Sequence, residues 1–105
     1  MISILIPVFD YDIVALVHSM KDGLAKVPEF GEIIIGDDGS SPEYKAKYHA
    51  LEGEGVRLVI SEKNIGRSAI RNKLAMEAKG EYLLFLDADT MIAGTAESYL
   101  HNWAS

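Results

Sequence analysis

Four short apolar runs, each breaking off into a polar cluster and separated from the next by a helix-length stretch, constrain the fold of this chain most. The first, Ile2 to Val8, is aliphatic at every position except Ser3 and Pro7. A run without polar alternation belongs to a strand covered on both faces. Similar runs span Glu32 to Gly36, Val56 to Ile60 and Tyr82 to Leu86. Between the first two, Ile13, Val14, Leu16, Val17, Met20, Leu24 and Val27 recur at helical spacing until Pro28 closes the pattern. Ser41 as N-cap, with Pro42 at the first helical position, opens a second helix through Leu51 that dissolves at Gly53-Glu54-Gly55. Ile70, Leu74, Ala75 and Ala78 share one face of a third helix, for which Gly80 is the expected C-cap. A last helix is expected from Thr95, with Ala96, Tyr99, Leu100 and Trp103 on one side. Such alternation demands a parallel sheet with right-handed crossovers and helices on both faces. The expectation is one Rossmann-like domain over residues 1–105, a three-layer α/β/α sandwich around a four-stranded parallel sheet.

Composition narrows the partners. Sixteen acidic against ten basic side chains give a net charge of -6, and the basic residues form no stripe that could neutralise a phosphate backbone. Nucleic acid is therefore not an expected partner. The absence of cysteine removes disulfides and thiolate metal sites, which fits a reducing, cytoplasmic setting. The opening run lacks a basic flank and meets Asp10 and Asp12 at once, so it reads as a strand and not as a signal peptide. No stretch approaches the ~20 apolar residues of a membrane span, although a parent protein could work at a membrane face.

The carboxylates collect in one place. Asp10, the Asp37-Asp38 pair, the loop from Ser61 to Arg67 and the segment Asp87-Ala88-Asp89-Thr90 all follow the carboxyl ends of predicted strands. That rim of an open parallel sheet is where ligands bind. A pocket so rich in carboxylate repels a bare phosphate, and a divalent cation between the two resolves the conflict. Asp87 and Asp89 offer oxygen ligands suited to Mg²⁺ or Mn²⁺, which keep waters and share their shell with phosphates. Arg67 and Arg71 lie four apart at the start of the third helix, where the helix N-terminus already favours anions. Gly66 leaves room for close backbone approach, and Asn64 can hydrogen-bond or cap.

The segments SILIPVFD, EIIIGDDGSSPE and NIGRSAIRNKLAMEAKGEYLLFLDADT, in that order and spacing, resemble the amino-terminal half of family-2 glycosyltransferases, which have the GT-A fold. The resemblance runs from about Ser3 to Thr90. It implies a partial GT-A fold that binds a nucleotide-diphosphate sugar, with a lean toward UDP, for inverting transfer to an unknown sugar or lipid-linked acceptor. By the same resemblance Pro7, Val8 and Phe9 line the nucleoside pocket and Asp38 accepts a hydrogen bond from the base. Arg67 falls near a base- or phosphate-contacting position. Asp87 and Asp89 match an Asp-x-Asp motif whose last aspartate ligates the metal and whose first contacts the ribose or the ion. The resemblance places the acceptor-binding half, with its general base, after Ser105. The chain is accordingly expected to bind donor without completing catalysis, and to self-associate through an exposed sheet edge.

Competing readings differ at single residues. A phosphatase of the haloacid dehalogenase type also places Asp-x-Asp after an apolar strand, but wants Thr or Val where Met91 stands. A phosphoacceptor receiver needs a lysine at a later strand end, and none is there. A nucleotide-binding fragment that transfers nothing stays open. His18, His49 and His101 lack metal-ligand spacing, Met20, Met76 and Met91 read as packing residues, and Tyr82, Tyr99 and Trp103 read as core or interface.

Overall fold

A strand that is aliphatic on both faces is stable only when layers cover both, and the helices supply them. The computed structural model describes residues 1–53 and 55–89. Its elements are β1 (Ile2–Val8), α1 (Val14–Lys26), β2 (Phe30–Asp38), α2 (Pro42–Leu51), β3 (Val56–Ser61), α3 (Arg67–Glu77) and β4 (Tyr82–Phe85). The strands form one parallel sheet in the order β3-β2-β1-β4. The alternation along β1 decides which layer each side chain meets. Ile4, Ile6 and Val8 join Ile33 and Ile35 of β2 in a core with α1 and α2, formed with Val17, Met20, Tyr48 and Leu51. Leu5 and Ile34 point the other way, onto Leu74 of α3. Gly36 is what lets α3 lie so close, since a Cβ there would stand 2.7 Å from a Leu74 methyl. The expected three-layer α/β architecture is the one observed. The last helix expected from Thr95, with Met91, Tyr99, His101 and Trp103, lies outside the described residues.

Some boundaries differ from expectation. β2 does not stop at Gly36, because its pairing with β3 runs on through Asp37↔Ile60 and Asp38↔Ser61. The turn is thereby reduced to Gly39 and Ser40. Ser41 has the extended backbone of an N-cap, but its side chain makes no cap bond. Its N–H instead meets Asp10 Oδ1 at 2.8 Å. α3 ends at Glu77 with Ala78 as C-cap, so Gly80 is not the cap. Gly80 donates its N–H to Ser3 Oγ at 2.9 Å, and a Cβ there would lie 2.5 Å from that oxygen. Met76, read as a packing residue, is 87% exposed. Tyr82 is 69% exposed and Leu83 is also exposed, so both lie open at the outer strand of the described sheet.

At the amino ends of the strands a buried carboxylate gathers the chain. Glu32 Oε2 accepts the Ser3 hydroxyl at 2.6 Å and the Lys79 N–H at 2.7 Å, while Oε1 accepts Arg57 Nη2 at 3.0 Å. Arg57 also donates to the Glu77 carbonyl at 2.6 Å. Desolvation alone would raise the Glu32 pKa, but the hydrogen bonds from Ser3, Lys79 and Arg57, with the Arg57 charge, outweigh it and hold the carboxyl below its ordinary value. By its place in the sequence Glu32 is only the start of an apolar run. In fact it ties β1, β2, β3 and the α3–β4 loop together.

Candidate functional site

The sheet opens at one point on its carboxyl rim. β4 pairs with β1 only as far as Leu5↔Phe85, with one further bond from the Leu86 N–H to the Leu5 carbonyl, whereas β1 continues beside β2 to Val8↔Asp37. Pro7, which has no N–H to give, sits beyond the last β4 pair and so costs the ladder nothing on that side. Into this opening fits a pocket of about 500 Å³ lined by Pro7, Val8, Phe9, Tyr11, Asp38, Asn64, Gly66, Arg67, Ile70, Asp87, Ala88 and Asp89. α1 follows β1 on one face and α3 precedes β4 on the other, so the pocket lies at the topological switch point of the sheet.

Strand geometry divides the Asp37-Asp38 pair, whose side chains point to opposite faces. Asp37 is fully buried toward α2, where Oδ2 pairs with Lys45 Nζ at 2.6 Å and Oδ1 accepts the Ser40 N–H at 2.9 Å. It does not line the pocket. Asp38 points to the α3 side, where Oδ1 accepts the Ile65 N–H at 2.7 Å and Oδ2 the Gly66 N–H at 3.2 Å. Asn64 Nδ2 adds a bond to the Asp38 carbonyl at 3.2 Å. Asp38 therefore shapes the loop that enters α3 as well as lining the pocket. Gly39, at φ 76°, lets that loop press against the β2–α2 turn, because a Cβ there would be 2.5 Å from the Asn64 backbone nitrogen.

On the far wall Arg67 Nη2 meets Asp87 Oδ1 at 2.8 Å. With side chains 70% and 60% exposed, such a pair is worth only about 0–1 kcal/mol and can exchange partners readily. Asp89 lines the same pocket as Asp38. Arg71 does not reach it, since its guanidinium lies 4.3 Å from the centre of the Phe85 ring on the α3 face of β4. Asp10 is likewise outside, its carboxylate turned to the Ser41 N–H.

Tyr11, Ile70 and Ala88 complete the lining and were not singled out from sequence. Ile70 was assigned to a helix face, and a core position can also be a pocket floor. Tyr11 lies in an irregular loop where periodicity carries no signal. Its one clue was a second aromatic two residues from Phe9 at a strand end.

As to a metal, no group of three or more His, Cys, Asp or Glu side chains that could hold one occurs among the described residues. Asp87 and Asp89, which both line the pocket, are the carboxylates on which a hard cation would have to draw there, with water and a diphosphate completing its shell.

The chain matches the glycosyl transferase family 2 profile over residues 3–96. It belongs to glycosyltransferase family 2. Within that family's reach, it is 34% identical over 92 residues to a cholesterol galactosyltransferase of Borreliella burgdorferi, covering 81% of this chain and 24% of that protein. It is 38% identical over 72 residues to the multifunctional non-homologous end joining protein LigD of Mycolicibacterium smegmatis, covering 67% of this chain and 9% of that one. Among solved structures, residues 1–349 of S. aureus TarS in complex with UDP-GlcNAc superpose with a TM-score of 0.66 at 25% identity, covering 98% of this chain and 30% of that fragment. The chain thus spans about a quarter of the length of the galactosyltransferase and under a third of the TarS fragment. The α/β fold described above matches part of the GT-A fold of family 2, with the ends of β1 and β2, the entry to α3 and the segment after β4 supplying its pocket. Among the described residues no helix is long and apolar enough to cross a membrane.

Proposed function

We propose that the pocket between β1 and β4 binds the nucleoside diphosphate part of a sugar donor, with UDP as its preferred form, for inverting glycosyl transfer. The observation that carries this reading is the convergence of Asp38, Arg67, Asp87 and Asp89 on one pocket at the switch point of the sheet. Family membership and the UDP-GlcNAc complex of TarS support the same ligand class. The apolar wall of Pro7, Val8 and Phe9 would face the nucleoside, with Asp38 selecting among bases. Arg67 would turn from Asp87 toward the diphosphate. Asp87 and Asp89 would hold Mn²⁺ or Mg²⁺, whose charge offsets that of the departing diphosphate. In single displacement an acceptor hydroxyl attacks the anomeric carbon, its proton passes to a base, and the nucleoside diphosphate leaves from the opposite face. None of the described residues is assigned the part of that base.

Isothermal calorimetry tests the site. UDP binding should depend on Mn²⁺, and Asp89→Ala should abolish that dependence. Equal binding with and without metal in both proteins contradicts the assignment.

Exposed Tyr82 and Leu83 favour a second proposal, self-association through the β4 edge. Light scattering at high concentration should show dimers or larger species, and Tyr82→Lys should shift them to monomer. A clean monomer without the substitution refutes it.

A further inference from the structure

Tyr48 stands on α2, fully buried and outside the pocket, yet its hydroxyl bonds both polar groups of one pocket residue's backbone. It accepts the Tyr11 N–H at 3.2 Å and donates to the Tyr11 carbonyl at 2.7 Å. The neighbouring residue is held from the same side. The Asp10 N–H donates to Ser40 Oγ at 2.9 Å and Asp10 Oδ1 accepts the Ser41 N–H, with Asp10 itself at φ 46°. Aspartate enters this left-handed region more readily than most residues, and here the bonds to Ser40 and Ser41 hold it there. The β1–α1 loop therefore takes its shape from the β2–α2 turn and α2, although α2 adds no side chain to the pocket lining.

We propose that Tyr48 is a positioning residue for nucleotide binding, fixing the Tyr11 backbone so that the Tyr11 side chain forms a wall of the pocket. A phenylalanine would fill the same core beside Leu51 and Val17, so the hydroxyl is the part that packing does not require. Loops at pocket mouths otherwise draw on few apolar contacts and open at low cost. Two hydrogen bonds from a buried phenol on a helix remove that freedom at the one residue where it would blur the site. The inference rests on the nucleotide-binding reading given above.

The test is Tyr48→Phe in the whole chain, read by UDP and uridine calorimetry with Mn²⁺ present and by amide exchange at Tyr11. Exchange at Tyr11 should rise by about tenfold or more, and affinity for both ligands should fall about fivefold by the same factor. Against a Tyr11→Ala background the same substitution should change affinity less than about twofold, since the wall it positions is gone. Leu51→Ala, which removes apolar volume without touching the loop, should lower the melting temperature and leave affinity unchanged. Should Tyr48→Phe not fold, Ser40→Ala loosens the same loop at Asp10 and should weaken binding likewise. Unchanged affinity in Tyr48→Phe, or an equal loss in Leu51→Ala, overturns the positioning role alone. Failure of the unsubstituted chain to bind either ligand overturns the donor-site reading and this inference with it.

Discussion

Gly39→Ala is expected to destabilise the fold by about 3 kcal/mol, through left-handed strain and a collision at one position. The strain follows from φ 76°, and the collision from the Asn64 backbone nitrogen 2.5 Å from the new Cβ. Backbone cannot swing aside as a flexible side chain can, so the β3–α3 loop must retreat. Its retreat pulls the Ile65 and Gly66 N–H groups off Asp38, which lines the pocket. Nucleotide affinity should therefore fall by an order of magnitude or more even under conditions where the variant is folded, since roughly two hydrogen bonds that set the pocket wall are lost. Urea unfolding and calorimetry measure the two effects separately. Gly53→Ala is the control, because nothing lies within 4 Å of the added methyl and a change within about 0.5 kcal/mol is expected. Two glycine variants of equal stability would remove the structural argument.

Glu32→Ala should be as costly for a different reason. It leaves the Ser3 hydroxyl and the Lys79 N–H without their acceptor and Arg57 without its counter-charge. Removing one partner of a buried pair costs about 3–5 kcal/mol, and partial exposure of Arg57 places this case near the lower end. The milder Glu32→Gln exposes the charge dependence. The carboxyl is held below its ordinary value in the folded chain, so the unfolded chain takes up the proton first as pH falls. Stability from the ionised group is thus complete above about pH 5 and is lost as pH drops through the lower, folded value. The gap between unsubstituted chain and Glu32→Gln should stay constant from about pH 5 to pH 8 and narrow below about pH 4. Thermal melts across that range test it, and a gap that widens in acid would reverse the sign of the assignment.

These two positions also show what a sequence can disclose. Apolar runs and helical spacing revealed β1 through β4 and all three described helices, because burial on both faces leaves a pattern in composition. The convergence of Asp38, Arg67, Asp87 and Asp89 followed from parallel topology alone, which sends every strand end to one rim. The pairing order along the sheet left no such trace. Neither did the fate of Asp37, which depended on where β2 ends: one more paired residue turns a pocket carboxylate into a buried partner for Lys45. Arg71 shares a helix face with Arg67 but stands one turn farther along, and the ring of Phe85 offers it a seat that no spacing rule foresees. Tyr48 and Glu32 act through contacts 37 and 29 residues away, distances at which sequence carries no local signal.

The place of β1 between its neighbours bears on how the polypeptide matures. One flank of β1 meets β2 early, but the other waits for β4, whose approach is marked by a bond between Ser3 and Gly80, 77 residues apart. At a synthesis rate of about 5–20 residues per second, that interval lasts roughly 4–15 s. Throughout it the most aliphatic segment of the chain carries an open hydrogen-bonding edge, a period in which chaperones or a second nascent copy compete with β4 for the same seam.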